Sequence, residues 1–135
     1  MCSSDLGLLG HSDGDALTHA ICDALLGAVG CGDIGEHFPD TDPKYHDISS
    51  LELLKIVVDL VKQKDYQINN VDAVVVAQEP RISPFKKQIQ QKIAGVLGIK
   101  EDSVNIKAKT SEGLSEIGRK EAVASYAVVS LSKGV

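Results

Sequence analysis

Apolar residues return along this chain at two different periods, and the change of period marks out its elements. Between Ser12 and about Val29, the residues Ala16, Leu17, Ala20, Ile21, Ala24, Leu25 and Ala28 recur at steps of three and four. That spacing gathers side chains on one face of a helix. Ser12 or Asp13 can cap its start, acidic residues fill the first turn where the macrodipole favours them, and Gly30 and Gly32 end it. A second helix is predicted from Ser49, because Ser49 and Glu52 form a capping-box pair ahead of LLKIVVDLVKQK. Its apolar side is Leu53, Leu54, Val57, Leu60 and Val61.

The period then changes. Val71 to Ala77 is a β-branched run bounded by Asn69-Asn70 and Glu79-Pro80, the pattern of a buried strand. Ser83 and Pro84 open a third helix in which Phe85, Ile89, Ile93, Val96 and Leu97 share one side, and Gly98 stops it. Val104 to Lys109 alternates as a strand, and Val123 to Leu131 reads as the last one. Gly32 to Asp47 has no apolar period and is rich in Gly, Pro and Asp, which makes it a loop long enough to carry function. The order helix, helix, strand, helix, strand, strand predicts an α+β fold, a single domain with a mixed β-sheet packed against helices. So few strands beside such apolar helices also predict oligomerisation. Met1 to Leu6 fit no element and are expected to be a non-native or disordered start, leaving 7–135 as the domain.

Composition narrows the function. With 43% apolar and 24% charged residues the chain is of ordinary globular make-up. A formal charge of −5, scattered basic residues, and only three tyrosines and two phenylalanines disfavour a nucleic-acid groove. Three cysteines without a CxxC spacing support neither a disulfide framework nor a zinc knuckle, so reduced thiols in a cytoplasmic protein are expected. No apolar run reaches the roughly 20 residues of a membrane span.

Four clusters carry candidate chemistry. His11, Ser12, Asp13 and Asp15 run into His19 and Asp23, and Asp15, His19 and Asp23 fall four apart on one helix edge. An imidazole there can take a metal while a neighbouring acid fixes its tautomer; helix caps and a carboxylate-paired histidine account for the same residues. Asp33-Ile34-Gly35 with Phe38, Asp40 and Asp42 can hold a diol, and it is also common turn chemistry. Ala77 to Arg81 leaves the buried strand and could read a base edge with backbone groups, or simply connect strand to helix. Lys107 to Glu112 offers cations, hydroxyls and a carboxylate, a set suited to a phosphate and its magnesium ion or to a solvated turn.

Taken together, GLLGHSDGDALTHAICDALLGAVGCGDIGEHFPDTDP, DAVVVAQEPR and VNIKAKTSEGLSEIGRKEAVA resemble the 2-C-methyl-D-erythritol 2,4-cyclodiphosphate synthases of the non-mevalonate isoprenoid pathway, over residues 7 to about 132. The resemblance implies a phosphorus-oxygen lyase that cyclises 4-diphosphocytidyl-2-C-methyl-D-erythritol 2-phosphate and releases CMP. It also implies a homotrimer with active sites at subunit interfaces, a divalent metal (zinc or manganese) and magnesium. His19 matches a zinc ligand and Glu112 the magnesium ligand, and Asp23 lies where it could support His19. His11 and Ser12 match residues at the substrate phosphates and the methylerythritol part. Asp33, Ile34, Gly35, Phe38, Asp40 and Asp42 match the methylerythritol loop. Ala77, Pro80 and Arg81 match the cytosine and CDP pocket of the neighbouring subunit. Thr110 and Ser111 match the diphosphate turn. His11, Thr110 and Glu112 are the candidate catalytic residues.

The chain departs from this pattern at two places. Relatives carry an Asp-x-His strand ahead of GLL that supplies two further zinc ligands, and none precedes Gly7, so the domain is expected to be N-terminally incomplete. A catalytically impaired trimer that binds cytidine nucleotide or an isoprenoid diphosphate without turnover is the alternative that follows. Leu114 to Gly118 replaces a Gly-Phe pair of many relatives.

Overall fold

The computed structural model describes residues 12–39, 48–77, 83–110 and 124–134, with only the backbone at Ser12, Asp13 and Ser83. Helix α1 spans Ser12–Ala28, α2 is a single turn at Ile34–His37, α3 spans Ser50–Gln63 and α4 Lys86–Leu97. The strands are β1, Tyr66–Ala77; β2, Val104–Thr110; and β3, Ala124–Lys133. This is the expected α+β class, with helices on a mixed sheet of order β2-β1-β3. The expectation for Met1 to Leu6 lies outside the described residues.

Strand β1 is the centre of the sheet. It pairs in parallel with β2 and antiparallel with β3, and a parallel neighbour needs a crossover such as α4 supplies. Val71, Ala73 and Val75 of β1 point inward and lie beside Val104, Ile106 and Ala108 of β2 and Val129, Ala127 and Ser125 of β3. Helices cover this face. α1 packs on β3, β1 and α3, while α4 packs on β2 and α3. The core is built from Leu17, Ile21, Leu25, Leu54, Val57, Val61, Ile89, Ile93 and Leu97 with the inward strand residues.

Most predicted boundaries hold to within a residue or two, and the exceptions have physical causes. β1 begins at Tyr66, not Val71, because Asn69-Asn70 does not stop it. The register slips between Ile68 and Asn70, and the Asn69 amide donates to the hydroxyls of Ser130 (3.3 Å) and Ser132 (2.7 Å) on β3. A bulge thus absorbs residues that disfavour a regular ladder. Helix α4 starts later than expected, since Ser83–Phe85 forms a short 3-10 turn and the helix has no side-chain cap at Phe85. Its end is as predicted, with Gly98 in the left-handed conformation at φ 71°. Ser49 caps α3 as predicted, accepting the Glu52 N–H at 3.2 Å.

The apolar arc of α1 is wider than the helical period suggested. Thr18, Cys22 and Leu26 are fully buried as well, while Ala28 is exposed. The helix lies between a sheet and a second helix, so two adjoining flanks are covered. Thr18 meets its burial by donating its hydroxyl to the Gly14 carbonyl at 2.8 Å.

The other face of the sheet has no helix over it among the described residues. It carries the rows Tyr126-Val74-Lys107, Val128-Asp72-Asn105 and Ala124-Val76-Lys109. Tyr126 is 63% and Val128 72% exposed. The Asn105 amide (3.1 Å) and the Lys107 ammonium (3.0 Å) both bond the Asp72 carboxylate and hold it below the usual carboxylate range.

Burial makes Cys22 a marker of α1 packing. Removal from water, with a smaller contribution from the neighbouring Asp23 charge, pushes its thiol from 9.0 up to about 12. The folded chain therefore keeps the proton after the unfolded chain has lost it. This contribution to stability is fully present below pH 9.0 and is lost as pH rises toward about 12. Urea unfolding from about pH 8 to about pH 11 is expected to show a steeper loss of stability in the parent chain than in Cys22→Ala. Parallel pH profiles would show that the thiol is not buried.

Candidate active site

Two groups of candidate residues are brought together, each by a different part of the fold. The first lies along α1. Asp15, His19 and Asp23 occupy successive turns beside the buried arc, with Asp15 and His19 half-buried and Asp23 exposed. The two acids do not end in solvent. Asp15 Oδ1 accepts the Ser50 hydroxyl at 2.8 Å, at the start of α3. Asp23 Oδ1 accepts the Ile34 N–H at 2.9 Å, at the start of α2. The sequence sets Asp23 where it could support His19; in the structure its Oδ1 serves the backbone of the following turn.

That turn is the Asp33-Ile34-Gly35 segment. Expected to be irregular loop, it closes as the one-turn helix α2, because its first N–H groups find carboxylates. Asp33 accepts the Glu36 N–H at 3.0 Å and Asp23 takes that of Ile34. His37 Nε2 donates to the Cys31 carbonyl at 2.6 Å and ties the end of the turn to its start. Gly32 precedes the turn at φ 82°, a conformation that a side chain would strain. Phe38 follows it. The family likeness implies a place for it in the lining of the substrate loop; its side chain is 8% exposed and packs in the core. An aromatic ring at the end of a polar turn is worth more to folding buried than exposed, and here it anchors the loop.

The second group lies at one end of the sheet. Ala77 ends β1 and Thr110 ends β2, and the parallel register sets them side by side. Two sequence clusters, one a strand exit and the other a strand terminus, thus become neighbours. Ala77 itself is buried. Of the remaining candidates, His11, Asp40, Asp42, Pro80, Arg81, Ser111 and Glu112 lie outside the described residues, as does the Ser12 side chain.

Among the described residues no three His, Cys, Asp or Glu side chains could hold a metal ion together. Asp15 and Asp23 each give one carboxylate oxygen to these bonds, and His19 stands between them as the imidazole donor of the stripe. Cys22, on the same helix, is fully buried within the core cluster. A cavity of about 540 Å³ lined by Lys62, Asp65, Tyr66, Ile68, Leu97 and Gly98 lies at the opposite end of β1 from Ala77 and gathers none of the candidates.

The sequence and the fold both match one enzyme family. The YgbB family model matches residues 1–132. The 2-C-methyl-D-erythritol 2,4-cyclodiphosphate synthase of Agathobacter rectalis is 57% identical over 127 residues, which cover 94% of this chain and 72% of that protein. Among solved structures, the bifunctional IspDF of Campylobacter jejuni superposes with a TM-score of 0.84 at 46% identity, over 94% of this chain and 34% of that chain. IspF of Plasmodium falciparum, solved as a CDP complex, gives a TM-score of 0.78 at 40% identity, over 94% of this chain and 76% of that one. The chain belongs to the YgbB family. Its activity is that of a 2-C-methyl-D-erythritol 2,4-cyclodiphosphate synthase, a lyase of the non-mevalonate isoprenoid pathway.

Because Phe38 pins the turn, Phe38→Ala is expected to cost about 3 kcal/mol in urea unfolding, and Phe38→Leu about 1 kcal/mol. Equal, small losses in both would mean that the ring is not packed.

Proposed function

We propose that the two groups are the two halves of a composite cyclase site, each contributed by a different subunit of a homotrimer. In this reading the Asp33-Ile34-Gly35 turn, with Phe38, Asp40 and Asp42, holds the methylerythritol part of the substrate, and His19 on α1 stands beside it. Ala77, Pro80 and Arg81 of the adjacent subunit hold the cytidine end. Thr110 and Ser111 bind the diphosphate, and His11 and Ser12 contact the phosphates. The 2-phosphate oxygen attacks the β-phosphorus, a new P–O bond forms, the bond to the α-phosphate bridging oxygen breaks, and CMP leaves. Transfer of this kind needs two anionic groups aligned and their repulsion cancelled more than it needs a protein nucleophile.

The observation that carries the reading is the Ala77–Thr110 pairing at one sheet end. It joins the predicted nucleotide pocket to the predicted diphosphate turn without any contact having been assumed between them. The exposed sheet face supports assembly, since Tyr126, Val128 and half-buried Val74 and Val76 form an apolar strip with a polar rim. The family likeness implies metal dependence. His19 would bind zinc or manganese and Glu112 magnesium, ions that neutralise phosphate charge when bound. Since the described residues do not complete a metal site, no step is assigned to an ion. On the family likeness we take the enzyme to work in the cytoplasm; separately, no helix among the described residues is long and apolar enough to cross a membrane.

Incubating the chain with 4-diphosphocytidyl-2-C-methyl-D-erythritol 2-phosphate, zinc and magnesium is expected to yield CMP and the cyclic diphosphate in equal amounts. CMP binding without turnover would leave a nucleotide-binding trimer, and release of free phosphate would leave a phosphohydrolase; either overturns the cyclase reading. For the assembly, Val128→Glu is expected to shift the chain from trimer to monomer in sedimentation, because three like charges would be buried together. A monomeric parent chain, or an unaffected trimer in the variant, would place the interface elsewhere.

A further inference from the structure

One stripe of α1 holds the starts of two other helices. Asp23 takes the Ile34 N–H at the start of α2, and Asp15 takes the Ser50 hydroxyl at the start of α3. The two acids stand eight residues apart, about 12 Å along a helix, with His19 midway between them. Neither contact is a local consequence of helix formation, since each reaches an element 11 or 35 residues away in sequence. Ser50 is fully buried, so its hydroxyl bond to Asp15 is shielded from water.

We propose that Asp15 and Asp23 are positioning residues for the cyclase reaction: they fasten the start of α2, at Ile34, and the start of α3, at Ser50, to α1 on either side of His19. The Asp33-Ile34-Gly35 turn and the imidazole thereby keep one register. This rests on the functional reading above, in which that turn holds the methylerythritol part. The acids act through the elements they fasten and touch no reacting atom. What the geometry requires of each is an acceptor oxygen, not a charge: the donors are a neutral backbone N–H and a neutral hydroxyl. An acceptor role of this kind separates them from metal-supporting carboxylates, for which charge and basicity would matter.

The test uses the full chain and four variants: Asp15→Ala, Asp15→Asn, Asp23→Ala and Asp23→Asn. Binding of the cyclic diphosphate product, binding of CMP and zinc content after dialysis are measured for each, with KM and kcat. Both alanine variants are expected to raise KM and weaken product binding about tenfold, the effect of losing one hydrogen bond to a charged acceptor. CMP affinity and zinc content should stay at the parent values. Both asparagine variants should recover to within about twofold, because the amide oxygen still accepts. Hydrogen exchange at Ile34 is expected to quicken in Asp23→Ala and not in Asp23→Asn, which keeps the test readable if Asp15→Ala folds poorly. Unchanged product binding in the alanine variants would overturn the proposal, as would loss of zinc or failure of asparagine to rescue. If the parent chain binds neither product nor CMP, the functional reading falls and takes this inference with it. If it binds both and Asp23→Ala does so equally well, this inference alone falls.

Discussion

Packing of Leu17, Ile21 and Leu25 under α1 sets the rotation of that helix, and everything placed around it depends on that rotation. Side chains in a core interdigitate at crystal-like density, so a helix with buried flanks on both the sheet and α3 has no freedom to turn. Its unburied edge then presents Asp15, His19 and Asp23 in one line, whatever sequence surrounds them. A polar stripe of that kind would be a solvated face on a looser helix. Here it is a rail to which distant backbone is tied.

The loop between α1 and α3 shows how that rail is used. A Gly-, Pro- and Asp-rich stretch has little apolar area to hold it, and ordering such a segment costs conformational entropy at every residue. The described part of it is ordered by a few directed contacts: two carboxylates at the start of α2, one imidazole closing the turn, and one buried ring. The ring supplies the burial, and the hydrogen bonds supply direction. Together they leave the turn open to solvent while its backbone stays put.

The sheet solves a different problem. One face is filled by three helices, while the other sets Tyr126 and Val128 in water beside the Asp72-Lys107 pair. An isolated domain gains nothing from an apolar strip of this kind, whereas an assembly that buries it gains from every side chain covered. The same parallel pairing that places β2 beside β1 also brings Ala77 level with Thr110. Sheet register is thus what turns two separate sequence clusters into one edge.

Much of the fold was legible in the sequence because it follows from local chemistry. The Ser49–Glu52 cap, the stop at Gly98 and the β-branched run at Val71–Ala77 each act over a few residues, and each lies where its pattern put it. Asn69-Asn70 was misread as a strand boundary, since nothing local announces that serines on β3 will receive the Asn69 amide. The family likeness marks candidate residues one at a time, and so it does not announce the bond from Ile34 to Asp23 or the packing of Phe38 in the core. The periodic pattern determined which helices and strands exist and which side of each is apolar, because burial and hydrogen bonding repeat with the backbone. Only the tertiary structure decided which partner each polar side chain meets, because that depends on elements folded together across tens of residues, where register and helix rotation, not sequence spacing, set the distances.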